Sequence, residues 1–181
     1  NLTLRAHFPV AQIEFEREVS LHGRAVRLRE TVQSLAAYDR PIGWTQHVTL
    51  GPPFLEKGVT QFRASATRSK VFEGKFGDDD YLRAGAEFDW PFGPRGAFGD
   101  GSDGGDGIDS SDGIGGGVAD MRVLNGAPAS SAFTTHLMDI AAEDAFFAAF
   151  APALRLAFGY LWKRADFPWL GIWEENHSRM H

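Results

Sequence analysis

Alternation of apolar and polar residues is the clearest pattern in the first third of the chain. In segment 11–21, glutamates separate apolar residues at Ile13, Phe15, Val19 and Leu21. A period of two predicts a strand with one packed face and one face toward water. A second alternating segment, 24–35, follows Gly23. The two segments together predict a β-hairpin that turns at His22-Gly23.

Shorter segments with strand-like composition follow along the rest of the chain. We predict further strands in GWTQHVTL (43–50), VTQFRASA (59–66), SKVFEG (69–74), ALRLAFGYLW (153–162) and FPWLGIWEE (167–175). Pro52 and Pro53 would end the first of these, because proline cannot donate to a strand ladder. The segment 141–151 is rich in alanine, so helix and strand both stay open there. The pattern as a whole predicts an all-β, mainly antiparallel fold.

A glycine-rich and aspartate-rich segment interrupts this pattern. It holds eleven glycines between Gly93 and Gly117, and six aspartates between Gly96 and Met121. Such a composition cannot bury enough surface to offset its ordering entropy, so we predict a flexible loop at about 93–120. The stretch GGDGID (104–109) fits one copy of a calcium-binding repeat, but such repeats act by stacking. Ser111 also stands where a calcium loop needs glutamate, so we expect a solvated loop without metal.

Composition bounds the remaining possibilities. The chain has 181 residues, 43% of them hydrophobic, which predicts one domain with a real core. It has no cysteine, which excludes disulfides and cysteine-ligated zinc. The net charge of −6 arises in the aspartate-rich segment, since the rest carries 18 acidic and 18 basic residues. This balance argues against a nucleic-acid partner. No apolar run approaches the roughly 20 residues of a membrane helix, so we expect no membrane partner.

Two adjacent carboxylates near the C-terminus are candidates for proton chemistry. Glu174 and Glu175 lie in one predicted strand beside Trp173, so their side chains should point to opposite faces. A carboxylate beside tryptophan can have a raised pKa suited to proton transfer, and an indole face suits the C–H face of a sugar ring. The competing interpretation is a packed tryptophan core at an ordinary strand end.

Histidines offer a second kind of chemistry. His47, His136 and His177 fall in strand-like contexts, and with Glu174 they could form a metal site. No pair has a diagnostic ligand spacing such as HxH or HExxH. A histidine held by hydrogen bonds for structural reasons explains each of them equally well. We therefore expect no metal site.

The segment RPIGWTQHVTL (40–50) resembles the region around the catalytic histidine of the galactose mutarotase, or aldose 1-epimerase, superfamily. That family carries a pattern of the type Pro-Val-Asn-x-Thr-Asn-His. Here Pro41, Ile42, Thr45 and His47 match in order, while Gly43 and Gln46 replace the two asparagines. The later stretch WLGIWEEN (169–176) resembles the family's strand that carries the catalytic glutamate.

The resemblance implies a fold and a set of roles. The fold would be an antiparallel β-supersandwich, with residues 1–181 as a single partial domain that lacks the family's N-terminal strands. His47 would be the general acid and Glu174 the base, with Glu175 as the fallback. The expected substrate-binding residues are Gln46, Trp44, Arg29, Glu30, His136 and Trp173. The reaction would open the ring of a hexose, rotate C1 and close the ring as the other anomer, and it would require no metal or organic cofactor.

Two other hypotheses remain beside the epimerase. The first is a non-catalytic carbohydrate-binding domain of the same fold, and the second is a structural β-domain inside a larger polypeptide. The expected partner is a monosaccharide or a sugar-containing substrate. No signal-peptide pattern is visible after Asn1, which predicts a cytoplasmic location, although the resemblance implies that further strands precede Asn1.

Overall fold

The computed structural model describes residues 1–77, 79–96 and 117–177. The chain forms two compact units, Asn1–Val48 and Thr49–His181. The described residues form strands, turns and irregular segments, and contain no helix. The predicted all-β class is therefore confirmed, and the several sheets fit a β-sandwich type of fold.

The first unit is a three-stranded antiparallel meander of β1 (Leu2–Phe8), β2 (Ile13–His22) and β3 (Ala25–Ser34). Gly23 adopts a φ of +62° in the tight turn between β2 and β3, where His22 pairs with Ala25. The predicted hairpin is present, but its turn residues are Gly23 and Arg24, because His22 still pairs within the ladder. Residues 35–48 follow without regular secondary structure.

The register gives the two faces of this meander different chemistry. One face, called the apolar face below, carries alternate residues of all three strands. They are Leu2, Leu4, Ala6 and Phe8 of β1, Ile13, Phe15, Val19 and Leu21 of β2, and Val26, Leu28 and Val32 of β3, with Arg17 and Glu30 among them. The opposite face carries glutamates of β2 next to arginines, as at Glu18 and Arg29.

The second unit contains three further sheets. The largest has the order β13–β10–β5–β7, with β6 beside β10; another has the order β12–β11–β4, and β8 pairs with β9. Their bounds are β4 (Gln61–Ala64), β5 (Ala66–Val71), β6 (Asp79–Asp80), β7 (Glu87–Asp89), β8 (Phe92–Pro94), β9 (Val118–Asp120), β10 (Ser130–Met138), β11 (Asp144–Ala151), β12 (Leu156–Lys163) and β13 (Trp169–Glu175). All pairings except β6 with β10 are antiparallel.

Two apolar clusters form the core of the second unit. One surrounds Tyr81 and Leu82, and the other surrounds Met138 and Phe147. β10 supplies buried residues to both clusters, because every second side chain from Ala132 to Met138 points inward. This central strand, paired on both edges, fixes the position of β13 and its acidic residues.

The structure corrects two expectations about individual segments and decides a third that the sequence left open. Residues 43–50 form no strand, and the side chains of Trp44 and Gln46 hydrogen-bond to Glu30 instead. Residues 144–151 form β11 rather than a helix, because pairing with β4 and β12 outweighs the helix propensity of alanine. The ends of the predicted loop pair as β8 and β9. Residues 97–116 of that loop, including GGDGID, lie outside the described residues.

Candidate functional site

The mostly buried carboxylate of Glu30 accepts hydrogen bonds from three other side chains of the first unit. Glu30 points from β3 to the apolar face, and its side chain is only 12% exposed. Oε1 accepts hydrogen bonds from Nε and Nη2 of Arg17 at 2.6 and 2.5 Å. Oε2 accepts bonds from Nε1 of Trp44, at 3.0 Å, and from the amide of Gln46. We call these four residues the Glu30 cluster.

The Glu30 cluster unites three residues that the sequence predicted separately. Glu30, Trp44 and Gln46 meet around one carboxylate, and the Trp44 ring packs on Phe15 with centroids 5.3 Å apart. Arg17 was missed, although its sequence position carried a signal. It interrupts the apolar phase of β2, where a cation needs a buried partner across the sheet. Both oxygens of the Glu30 carboxylate accept hydrogen bonds, so Glu30 holds the side chains of Arg17, Trp44 and Gln46 in place.

Two other candidates of the first unit lie outside this cluster. Arg29 is exposed on the opposite face of β3 from Glu30 and pairs in register with Glu18. His47 is exposed in the irregular segment that follows Gln46. The roles of both residues in sugar binding or catalysis stay predictions.

In the second unit, the outer face of β13 and β10 presents aromatic side chains. Trp169, Gly171, Trp173 and Glu175 share this face of β13. They lie opposite Leu137, Thr135, Phe133 and Ser131 of β10. We call this surface the aromatic face.

The aromatic face is accessible to solvent. Trp169 and Trp173 are each 54% exposed, and an edge contact with Phe76 at 5.0 Å orients the Trp173 ring. Gly171 lies between Trp169 and Trp173, whose Cα atoms are about 13 Å apart along the strand. The Phe133 ring of β10 packs beside this glycine, with Cε2 3.6 Å from where a Cβ would stand. Thr135 lies beside this glycine and offers a hydroxyl. The arrangement suits a ring with apolar faces and polar edges.

The two adjacent glutamates have different surroundings, as their alternation predicted. Glu175 is exposed on the aromatic face, whereas Glu174 is half-buried on the inner face. Oε2 of Glu174 accepts a bond from the Tyr81 hydroxyl at 2.9 Å. Oε1 accepts bonds from the Gly126 N–H at 2.9 Å and from Nδ2 of Asn176 at 2.8 Å. Three donors therefore hold the Glu174 carboxylate in one orientation.

Tyr81 remains a hydrogen-bond donor to Glu174. Its burial, followed by the nearby negative charge of Glu174, raises the pKa of Tyr81 well above its usual value. The Arg95 guanidinium lies 5.8 Å from the centre of the Tyr81 ring and opposes this shift. The phenol is therefore protonated at neutral pH. Neither Tyr81 nor Asn176 was predicted. The partner of Tyr81 lies 93 positions away in the sequence, and Asn176 follows the end of β13, where the sequence pattern assigns no role.

His136 lies on the inner face of β10, opposite to the aromatic face. It is fully buried, with Nδ1 2.8 Å from the Ser69 hydroxyl and Nε2 2.8 Å from the Thr134 hydroxyl. The Trp90 ring packs edge-on at 5.0 Å. Burial lowers the pKa of His136 to about 4, so the imidazole is neutral at pH 7. These contacts favour the structural interpretation over contact with a ligand.

Within the described residues, no group of three or more metal-ligating side chains is arranged to hold an ion. No helix long and apolar enough to cross a membrane occurs in that same part of the chain. Comparisons with protein-family models, curated proteins and solved structures found no match for this chain. The resemblance to the aldose 1-epimerases therefore rests on the sequence segments 40–50 and 169–176.

Proposed function

We propose that this protein binds a hexose on the aromatic face and interconverts its α and β anomers. The observation that carries the proposal is the pair of exposed tryptophans, Trp169 and Trp173, on either side of Gly171. Indoles bind the C–H faces of sugar rings, and hydroxyl groups at the ring edge need polar partners such as Thr135 and Glu175. The reaction is proposed from the resemblance of segments 40–50 and 169–176 to the aldose 1-epimerases.

The reaction is proton transfer at the anomeric centre. A base removes the proton of the anomeric hydroxyl while an acid donates a proton to the ring oxygen; the ring opens, C1 rotates and the ring closes. From the segment resemblance, we propose His47 of the first unit as the acid and a glutamate of β13 in the second unit as the base. Each well-placed acid or base contributes roughly 10²- to 10⁴-fold in rate.

The surroundings of the two glutamates bear on which of them is the base. Glu174 matches the family segment, but its carboxylate already accepts three hydrogen bonds. The Glu174 side chain also lies on the inner face of β13, away from Trp173. Glu175 lies on the same face as Trp173. We therefore propose Glu175 as the base and Glu174 as the residue that holds the end of β13 in place.

A second candidate function is sugar binding without catalysis. It is favoured by the same three hydrogen bonds, because they leave Glu174, the glutamate of the family match, in a structural role. The two candidates share the aromatic face and differ only in proton transfer. Binding and anomer exchange must therefore be measured on the same samples.

The experiment is proton exchange NMR between the anomers of glucose and galactose, with and without the folded protein. We expect faster exchange with the wild type, and a loss of about 10²-fold or more in His47→Ala and in Glu175→Gln. Glu174→Gln should retain activity if its role is structural. The opposite result for the two glutamate variants would assign the base to Glu174.

Binding of the same sugars is followed by the NMR line widths of the sugar. Trp173→Ala should weaken binding, whereas Leu161→Ala, which removes a side chain that is 69% exposed on β12, should not. Binding without faster exchange would establish the non-catalytic candidate. Neither binding nor exchange, in a sample shown to be folded, would overturn both candidates.

A further inference from the structure

The first unit contains an open pocket of about 400 Å³ that the proposed sugar reaction does not use. Phe8, Ile13, Ile42 and Trp44 contribute apolar walls, and Arg40 is the charged residue among those that line the pocket. Its volume falls within the range of small-molecule sites, roughly 300 to 1,000 Å³.

Arg40 has two nitrogen atoms without a hydrogen-bond partner among the described residues. Its Nε and Nη2 atoms are buried and have no partner in the described part of the chain. A buried charged donor without a partner loses its hydration and gains nothing in return. Glu30 is not an acceptor for Arg40, because its two oxygens accept hydrogen bonds from Arg17, Trp44 and Gln46.

Trp44 connects the pocket to a rigid support. Its indole N–H donates to Glu30, its ring packs on Phe15, and the same residue lines the pocket. The wall is therefore held in place before any ligand arrives. A preorganised apolar wall reduces the entropy cost of binding.

We infer that this pocket binds a small carboxylate with an apolar body. The Nε and Nη2 edge of arginine donates two parallel hydrogen bonds, which match the two oxygens of one carboxylate. The apolar body would pack against Phe8, Ile42 and Trp44. A phosphate dianion would bring a second negative charge into a pocket lined by a single cation. Binding requires the long Arg40 side chain to turn its shielded edge toward the pocket.

The probe is 3-phenylpropanoate, titrated into the intact 181-residue chain by calorimetry and by NMR of the arginine Nε–H signals. We expect binding in the millimolar range or tighter, with a shift of the Arg40 signal. The neutral amide, 3-phenylpropanamide, should bind at least about tenfold more weakly, because it cannot form the charged pair. 2-Phenylethyl phosphate should also bind more weakly than the carboxylate.

Arg40→Gln should weaken binding by about tenfold or more, whereas Arg24→Gln, which changes an exposed arginine of the same unit, should not. The Arg40 signal shift in the wild type tests the contact even if Arg40→Gln fails to fold. Equal binding of carboxylate and amide, tighter binding of the phosphate, or an unshifted Arg40 signal would overturn the inference. Sugar binding at the aromatic face does not enter this test.

Discussion

At the scale of single residues, His136 couples stability to pH. Its pKa is lowered to about 4 by burial, while the same residue in the unfolded chain titrates near 6.5. Between these values the unfolded state binds the extra proton. Stability should therefore fall as the pH drops from 6.5 toward 4, by up to about 3 kcal/mol from this group. Urea unfolding across this range measures the loss.

The contribution of His136 can be separated from that of the carboxylates. His136→Gln should unfold with a weaker pH dependence between pH 6.5 and 4 than the wild type, and His22→Gln, which alters an exposed histidine, should not. The ring signals of His136 in wild-type NMR spectra provide a second measurement. A midpoint near 6.5 in the folded protein would contradict the prediction.

At the scale of elements, the turn between β2 and β3 depends on one backbone conformation. Gly23 has a φ of +62°, and no atom lies within 4 Å of where a Cβ would stand. Gly23→Ala should therefore destabilise the protein by about 1 kcal/mol through backbone strain alone. Gly43→Ala is the matched control, because Gly43 has open space without a positive φ. Equal unfolding free energies for the two variants would refute this explanation.

Strands were predictable where alternation and pairing agree. β2 and β3 follow their apolar periods closely, and a glycine turn fixes their register. Segment 43–50 has a similar local pattern, yet Trp44 and Gln46 bond to Glu30 instead of taking part in a sheet. Composition left helix and strand open for 141–151, and the strand forms because alternate residues such as Ala145 and Phe147 become buried against other strands. Local composition cannot report these distant partners.

The candidate sites were predictable only in part for the same reason. Alternation was enough to place Glu174 and Glu175 on opposite faces of one strand. The bond from Tyr81 to Glu174 spans 93 positions, so no short pattern reveals it. The unpaired edge of Arg40 is equally hidden, because it depends on what surrounds the side chain rather than on its neighbours in the sequence.

At the scale of the whole molecule, the surface is less polar than the charge balance suggests. On the apolar face of the first unit, Leu2, Leu21, Val26 and Leu28 are between 54% and 71% exposed. Patches of this kind on soluble proteins usually mark a surface that interacts with something. The chain therefore exposes apolar area in one unit and an aromatic face in the other.

This exposure leads to a prediction about dye binding. The double variant Leu21→Glu with Leu28→Lys should bind the dye ANS less than the wild type does, because it places charges on the apolar face. Its unfolding free energy should change by less than about 1 kcal/mol, since both side chains already contact water. Leu161→Lys, at a site that is 69% exposed in the second unit, controls for added charge and should leave most of the ANS signal. A loss of several kcal/mol in the double variant would show that these leucines are packed in solution.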